Sequence, residues 1–347
     1  MDLFVTCSRF LEELLAQELQ ELGFKEVKPA YCGVYVSDNS LEAIYKINYL
    51  SRIASRVQLP LRRFPCRDQR DLYQGALEVE WEKFVPAGKT IAIDANVSHK
   101  KLKHSLHAAQ VVKDAICDRI RKKRGPRPSV DVKNPDVQLN LYISGDRATI
   151  SFDTSGVPLF KRGLRSETVI APLQETLAAA MLRLAGYNGQ SLCDPCCGSG
   201  TILLEAAMMA TRTPPGFYRA MWGFFHLPGF NRRTWKQLRA DWDGERQPLT
   251  ATLFGIDRDA KAAVENIRRA GFSIEVEEND FQQVAPRPFD LIVTNPPYGK
   301  RLKGAPIWED LDTFIERCGA RAFVLRPEGP GTELRNGGET VYLRETS

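Results

Sequence analysis

Over roughly the first 65 residues the apolar positions switch between two spacings. Residues 2–6 alternate as a strand does, whereas Ser8–Leu22 places apolar side chains at helical intervals. Val34–Val36 and Arg56–Leu59 read as strands around a helix at Leu41–Leu50. The order strand-helix-strand-strand-helix-strand suits a small ferredoxin-like unit. A second block follows, with a helix at Asp71–Val85, a strand at Thr90–Val97 and a long helix at Leu106–Lys123. Gly125-Pro126-Arg127-Pro128 stops that helix. A hairpin, Gln138–Ile143 and Ala148–Phe152, turns at Ser144-Gly145-Asp146-Arg147, and Asp153–Pro158 reads as a linker.

Beyond the linker the pattern becomes one of short apolar strands followed by helices, as a parallel sheet requires. Ser191-Leu192-Cys193-Asp194 is the first strand, and Pro195-Cys196-Cys197-Gly198-Ser199-Gly200-Thr201 leads into an amphipathic helix. Glycine at Gly198 and Gly200 lets the backbone approach a ligand closely. The third glycine of a dinucleotide fingerprint is missing, because Leu203 and Leu204 occupy that stretch. Asp194 beside the loop suits a cationic amino-acid group better than a pyrophosphate. Thr252–Asp257 is the next strand, and Asp257 at its carboxyl end is placed to hold ribose hydroxyls. Ile274–Asp280 is a third strand ending in an acid suited to an adenine amino group, with Phe281 available to pack on the ring.

A fourth strand, Phe289–Thr294, delivers Asn295-Pro296-Pro297-Tyr298 to its end. The prolines fix φ and lack N–H groups, so the turn is rigid and its carbonyls stay available as acceptors. Asn295 Oδ1 and the Pro296 carbonyl can then take both hydrogens of an exocyclic amine, while Tyr298 stacks on the base carrying it. Methylation at a ring carbon would want a cysteine nucleophile beside this turn, and none is expected there.

These motifs, in this order, resemble class I S-adenosylmethionine-dependent methyltransferases of the amino-methylating Asn-Pro-Pro-Tyr type. The whole chain resembles the bacterial THUMP-domain large-subunit (23S) ribosomal RNA guanine 2-amino methyltransferases. The segment from Leu164-Arg165 through Ile170–Ala180 matches that family's lead-in to the first strand, and its helix, with Glu175, would line the methionine end of the cofactor. The resemblance implies an α/β Rossmann-like catalytic domain with a mixed seven-stranded sheet. Preceding it would be an α+β ferredoxin-like and THUMP RNA-binding region. The implied divisions are 1–65, 66–155 and 156–347. The implied cofactor is S-adenosylmethionine, held by Glu175, Asp194, Cys196, Gly198, Gly200, Thr201, Asp257, Asp280 and Phe281. The implied partner is structured RNA, 23S ribosomal RNA or its precursor. A transfer-RNA guanine methyltransferase, a DNA adenine methyltransferase and a non-catalytic RNA-binding assembly factor are the alternatives.

Composition narrows the class further. The chain has 347 residues, 43% hydrophobic and 26% charged, enough for two or three soluble domains. No apolar run reaches the roughly 20 residues of a membrane helix. The start, Met1-Asp2-Leu3-Phe4, has no signal-peptide pattern, so a cytoplasmic protein is expected, and a monomer is the expected state. Of eight cysteines, only Cys193 and Cys196 have metal-like spacing and no second pair follows, so no metal is expected. Cys7, Cys32, Cys66, Cys117 and Cys318 read as reduced core residues.

The net charge of +5 decides little, but its distribution is uneven. Lys100, Lys101 and Lys103 precede the long helix, and Arg121, Lys122, Lys123, Arg124 and Arg127 close it. Together they suggest a phosphate-binding surface. Residues 212–247 form an insertion rich in aromatics and cations, either a packed flap or an RNA contact. Ala322–Leu325 and Thr340–Leu343 leave room for only a shortened final hairpin.

Overall fold

The computed structural model describes residues 1–164, 173–297 and 307–346. The first unit contains β1 (Leu3–Thr6), α1 (Glu12–Glu21), β2 (Val27–Ala30), β3 (Gly33–Val36), α2 (Leu41–Leu50) and β4 (Arg56–Pro65). α1 starts four residues later than Ser8, because Phe10 adopts a left-handed φ of 73° that no helix accepts. α2 starts where expected, since the Ser40 side chain accepts the Ala43 N–H.

β4 runs six residues past the expected end at Leu59. Its first residues pair with β1, and Gln58–Pro65 pair antiparallel with the hairpin strand β7 (Arg147–Asp153), with a bulge at Leu61. Past Gln58 it has a partner on one side only, a position that tolerates Pro60 and Pro65. β4 thus joins both N-terminal units into one seven-stranded sheet. The second unit adds α3 (Gln69–Leu77), the one-turn α4 (Trp81–Phe84), β5 (Ile91–Ser98), α5 (Ser105–Arg124) and β6 (Val137–Ser144). The sheet order is β2-β3-β1-β4-β7-β6-β5.

The third unit contains α6 (Glu175–Leu184), β8 (Leu192–Asp194), α7 (Thr201–Ala210), α8 (Arg232–Gly244), β9 (Leu253–Asp257), α9 (Lys261–Ala270), β10 (Glu275–Glu278), β11 (Leu291–Thr294), α10 (Trp308–Cys318), β12 (Arg321–Arg326), β13 (Thr332–Asn336) and β14 (Glu339–Thr346). Its order, β10-β9-β8-β11-β12-β14-β13, is parallel through β12 and antiparallel afterwards. The final hairpin is not shortened. β14 has eight residues, and its pairing with β12 extends from Ala322↔Thr346 to Arg326↔Tyr342. Polar Thr332–Asn336, which lacks an apolar run, is the strand that the sequence pattern hides.

The 212–247 insertion packs as a flap, with Arg232, Arg233 and Lys236 of α8 left exposed. Trp222, Phe224 and Trp235 are buried against Tyr45 and Tyr49 of α2, with Tyr45–Phe224 centroids 4.8 Å apart and Trp242 stacked on Tyr49 at 5.6 Å. Arg219, lying over Trp222, donates to the linker carbonyls of Ser155, Val157, Pro158 and Lys161. Burial draws its guanidinium down to about 10. Beneath the flap, Arg162 donates to Glu205 of α7 at 3.0 Å and to the carbonyls of Arg52 and Leu159. Arg52 in turn donates to the carbonyls of Met208 and Thr213.

Arg162 and Glu205 are both fully buried, so removing one strands the charge of the other. Arg162→Ala should therefore destabilise the protein by about 3–5 kcal/mol. Urea unfolding followed through the fluorescence of Trp222, Trp235 and Trp242 measures it.

Candidate active site at the strand ends

The order of the strands reverses between β8 and β11, and ligands of open α/β sheets bind at the carboxyl ends beside such a point. Asp194 ends β8, Asp257 ends β9 and Asn295 follows β11. β8 lies between β9 and β11, one strand spacing of about 4.8 Å from each. Three of the four expected strand-end residues therefore converge. Asp280 follows β10 by two residues, because that strand stops at Glu278.

The loop after β8 is held from several sides. Cys197 N–H donates to the Ile256 carbonyl at 2.9 Å, Gly198 N–H to Asp257 Oδ2 at 2.7 Å, and Asn266 Nδ2 to the Ser199 carbonyl at 3.1 Å. Gly198 and Gly200 have φ of 52° and 75°, where a side chain would be strained. A Cβ on Gly198 would meet nothing within 4 Å, so that glycine borders open space. Asp257 also accepts the Asp259 N–H at 3.1 Å, leaving each carboxylate oxygen a further lone pair for a hydroxyl. Thr201 starts α7, its hydroxyl 3.1 Å from that of Ser199.

Asp194 is 1% exposed, and no cation pairs with it among the described residues. It accepts from Thr294 Oγ1 at 2.7 Å and Cys196 N–H at 3.2 Å. Burial pushes its carboxyl up to about 7 against those two bonds, and Asp257 adds to the rise. A buried acid without a counter-charge beside open space fits a cationic amino-acid group. Thr294 escaped the sequence reading, although a β-branched hydroxyl residue just before Asn295 was its signal.

Asn295 Oδ1 is buried with no hydrogen-bond partner among the described residues. Buried acceptors are almost always satisfied, so one left open at a strand end awaits a donor. Pro296 is buried and Pro297 half-buried beside it. Tyr298 lies outside the described residues, as does the 165–172 part of the lead-in. Contrary to expectation, a cysteine does stand nearby, since Cys196 N–H and Thr294 Oγ1 both donate to Asp194 Oδ1. Burial pushes the Cys193, Cys196 and Cys197 thiols well up, so none is a ready thiolate.

Two of the expected cofactor contacts already have protein partners. Asp280 accepts Gln282 N–H on one oxygen and Arg258 Nε on the other. Phe281 packs edge-on against Phe314 of α10, with centroids 5.7 Å apart, and is 5% exposed. Glu175 opens α6 in a buried position.

The basic residues do not form one cluster. Lys100, Lys101 and Lys103 are exposed before α5, while Arg121, Lys122, Lys123 and Arg127 are exposed near its far end. A 20-residue helix separates the groups by about 30 Å. Arg124 turns inward to the Glu82 and Val85 carbonyls, and Arg121 faces Asp118 at 3.6 Å. His99 Nδ1 accepts the Lys101 and Leu102 N–H groups, which shapes the turn carrying the lysines.

The sheet order and strand-end constellation define a class I methyltransferase domain, the class that uses S-adenosylmethionine. Residues 162–322 match the RMKL-like methyltransferase domain, residues 66–153 the THUMP domain and residues 2–58 the RlmL ferredoxin-like domain. The chain belongs to the THUMP-containing methyltransferases of the RlmL type. It is 40% identical to the ribosomal RNA large subunit methyltransferase K/L of Syntrophotalea carbinolica, over 94% of this chain and 49% of that protein. With its namesake in Vibrio campbellii it shares 38% identity, over 86% of this chain and 44% of that protein. The chain thus spans about half the length of the curated relatives it matches. Among solved structures, SMU.472 complexed with SAH superposes with a TM-score of 0.88 at 25% identity, covering 99% of this chain and 97% of that one.

The Asp194 environment gives a test. Its folded pKa exceeds the unfolded value of 3.8, so between about pH 4 and 7 the native state keeps a proton that the unfolded chain has lost. Stability from this group therefore falls as pH rises through that window. Asp194→Asn keeps an acceptor for Thr294 and Cys196, and thermal scans of ligand-free protein should show its Tm advantage over wild type widening from about pH 5 to 8. A constant difference would mean that the carboxyl is not the source.

Proposed function

We propose that this chain transfers a methyl group from S-adenosylmethionine to the 2-amino group of a guanine in 23S ribosomal RNA. Residues 156–347 carry the chemistry, and residues 1–65 and 66–155 hold the RNA. The observation that carries the reading is the open acceptor of Asn295, one strand from the buried acid Asp194. The names of the large-subunit relatives support the choice of RNA.

A guanine amine attacks poorly because its lone pair is delocalised into the ring. Asn295 Oδ1 and the Pro296 carbonyl accept its two hydrogens and favour the pyramidal geometry in which that pair is available. S-adenosylmethionine, when bound, supplies a methyl already activated by a sulfonium. Asp194 and Asp257 hold and orient that donor, so alignment provides most of the acceleration. The methylated amine is acidic enough to lose its proton without a strong base. The raised Cys196 thiol supports amine over carbon methylation, which would need a thiolate.

Asn295→Ala should abolish transfer of labelled methyl to 23S RNA while cofactor affinity by calorimetry stays within a few-fold. Wild-type turnover in that variant would overturn the reading, and transfer to tRNA in preference would redirect it. Changing Lys100, Lys101, Lys103, Lys122 and Lys123 to Ala should weaken RNA binding and flatten its salt dependence. Each lost phosphate contact should reduce the log–log slope by roughly 0.7–0.9. Arg124→Ala should instead lower stability, since that side chain holds inner carbonyls.

A further inference from the structure

Arg9, Phe10 and Tyr31 form a surface group that neither the cofactor pocket nor the THUMP lysines use. The Arg9 guanidinium lies 4.7 Å from the Phe10 ring centroid and 5.9 Å from that of Tyr31. Tyr31 is 72% exposed, an unusual place for a large aromatic ring. Arg9 is exposed too and has no carboxylate within salt-bridge distance among the described residues.

The backbone beneath is held in an unfavourable form. Phe10 and Cys32 have φ of 73° and 55°, two of the three non-glycine residues with positive φ among those described. Such strain persists only where the surroundings enforce it. Here Glu12 Oε1 accepts the Cys32 N–H at 3.0 Å, and the Cys32 carbonyl accepts the Cys7 N–H at 3.1 Å. The two loops therefore present Tyr31 and Arg9 side by side.

We propose that Tyr31 stacks an unpaired RNA base while Arg9, fixed over the aromatic rings with its N–H edge free, grips the adjoining phosphate. A guanidinium laid on a ring keeps its in-plane donors for a phosphate. Stacking on an exposed ring accepts any base, which suits single-stranded RNA leading to a flipped target. The inference rests on RNA being the partner.

Fluorescence anisotropy with a short unstructured single-stranded RNA, and with a blunt RNA duplex, tests it. Tyr31→Ala should weaken single-strand binding roughly 5- to 150-fold, the contribution of one base–aromatic stack. Tyr31→Phe should restore it, and Arg9→Ala should weaken it and flatten its salt dependence. Duplex affinity and SAH affinity should not move. Unchanged single-strand affinity in Tyr31→Ala, or an equal loss on the duplex, would overturn the proposal. Methyl transfer to 23S RNA by wild type is assayed separately, so loss of the platform is distinguishable from loss of the activity.

Discussion

Glu205 ties the molecule together. It lies on α7, the helix launched by the loop around Gly198 and Gly200, and is wholly buried. Arg162 reaches it from the linker, and Arg52, 3.8 Å away, from the end of α2. Buried charges cost several kcal/mol each unless paired and hydrogen-bonded, so this carboxylate is tolerable only when the three segments are docked. The aromatic flap then covers the junction, and the Arg219 bonds fix the linker path over it. The N-terminal sheet and the cofactor loop are thereby set in one frame.

That frame gives the strand ends their use. In the parallel part of the sheet, Asp194 is level with Gly255, and Asp257 and Asn295 follow two residues further on along the flanking strands, which brings two acids and an open amide acceptor to one end of the sheet. None of the three is unusual alone. Asp194 becomes chemically distinctive because the sheet buries it without a cation, and Asn295 because the turn leaves its oxygen without a donor. Both are unfavourable in the free protein and are offset when ligand groups of opposite character arrive.

Much of this was legible in the chain. Period-2 and period-3.6 patterns placed α2, α5, the β6–β7 hairpin and the strands ending at Asp194, Asp257 and Thr294 within a residue or two. Glycine and proline punctuation located the turns between them. β13 was hidden because an edge strand exposed on one face carries no apolar run. The extension of β4 was hidden because its prolines argue against a strand until the one-sided pairing is known.

The sequence by itself determined the elements, their order and the polar residues at the strand ends, since these depend on local spacing and on side-chain chemistry. Only the tertiary structure decided which residues of one type share a task. Arg124 and Lys123 are neighbours in the chain, yet one holds buried carbonyls while the other faces water. Asp280 and Asp257 both mark strand ends, yet the first pairs with Arg258 while the second accepts the Gly198 N–H of the glycine loop. The aromatic insertion reads equally as an RNA face or a flap until α2 covers it. Burial and pairing are properties of distant segments brought together, and no local pattern encodes what a side chain will meet.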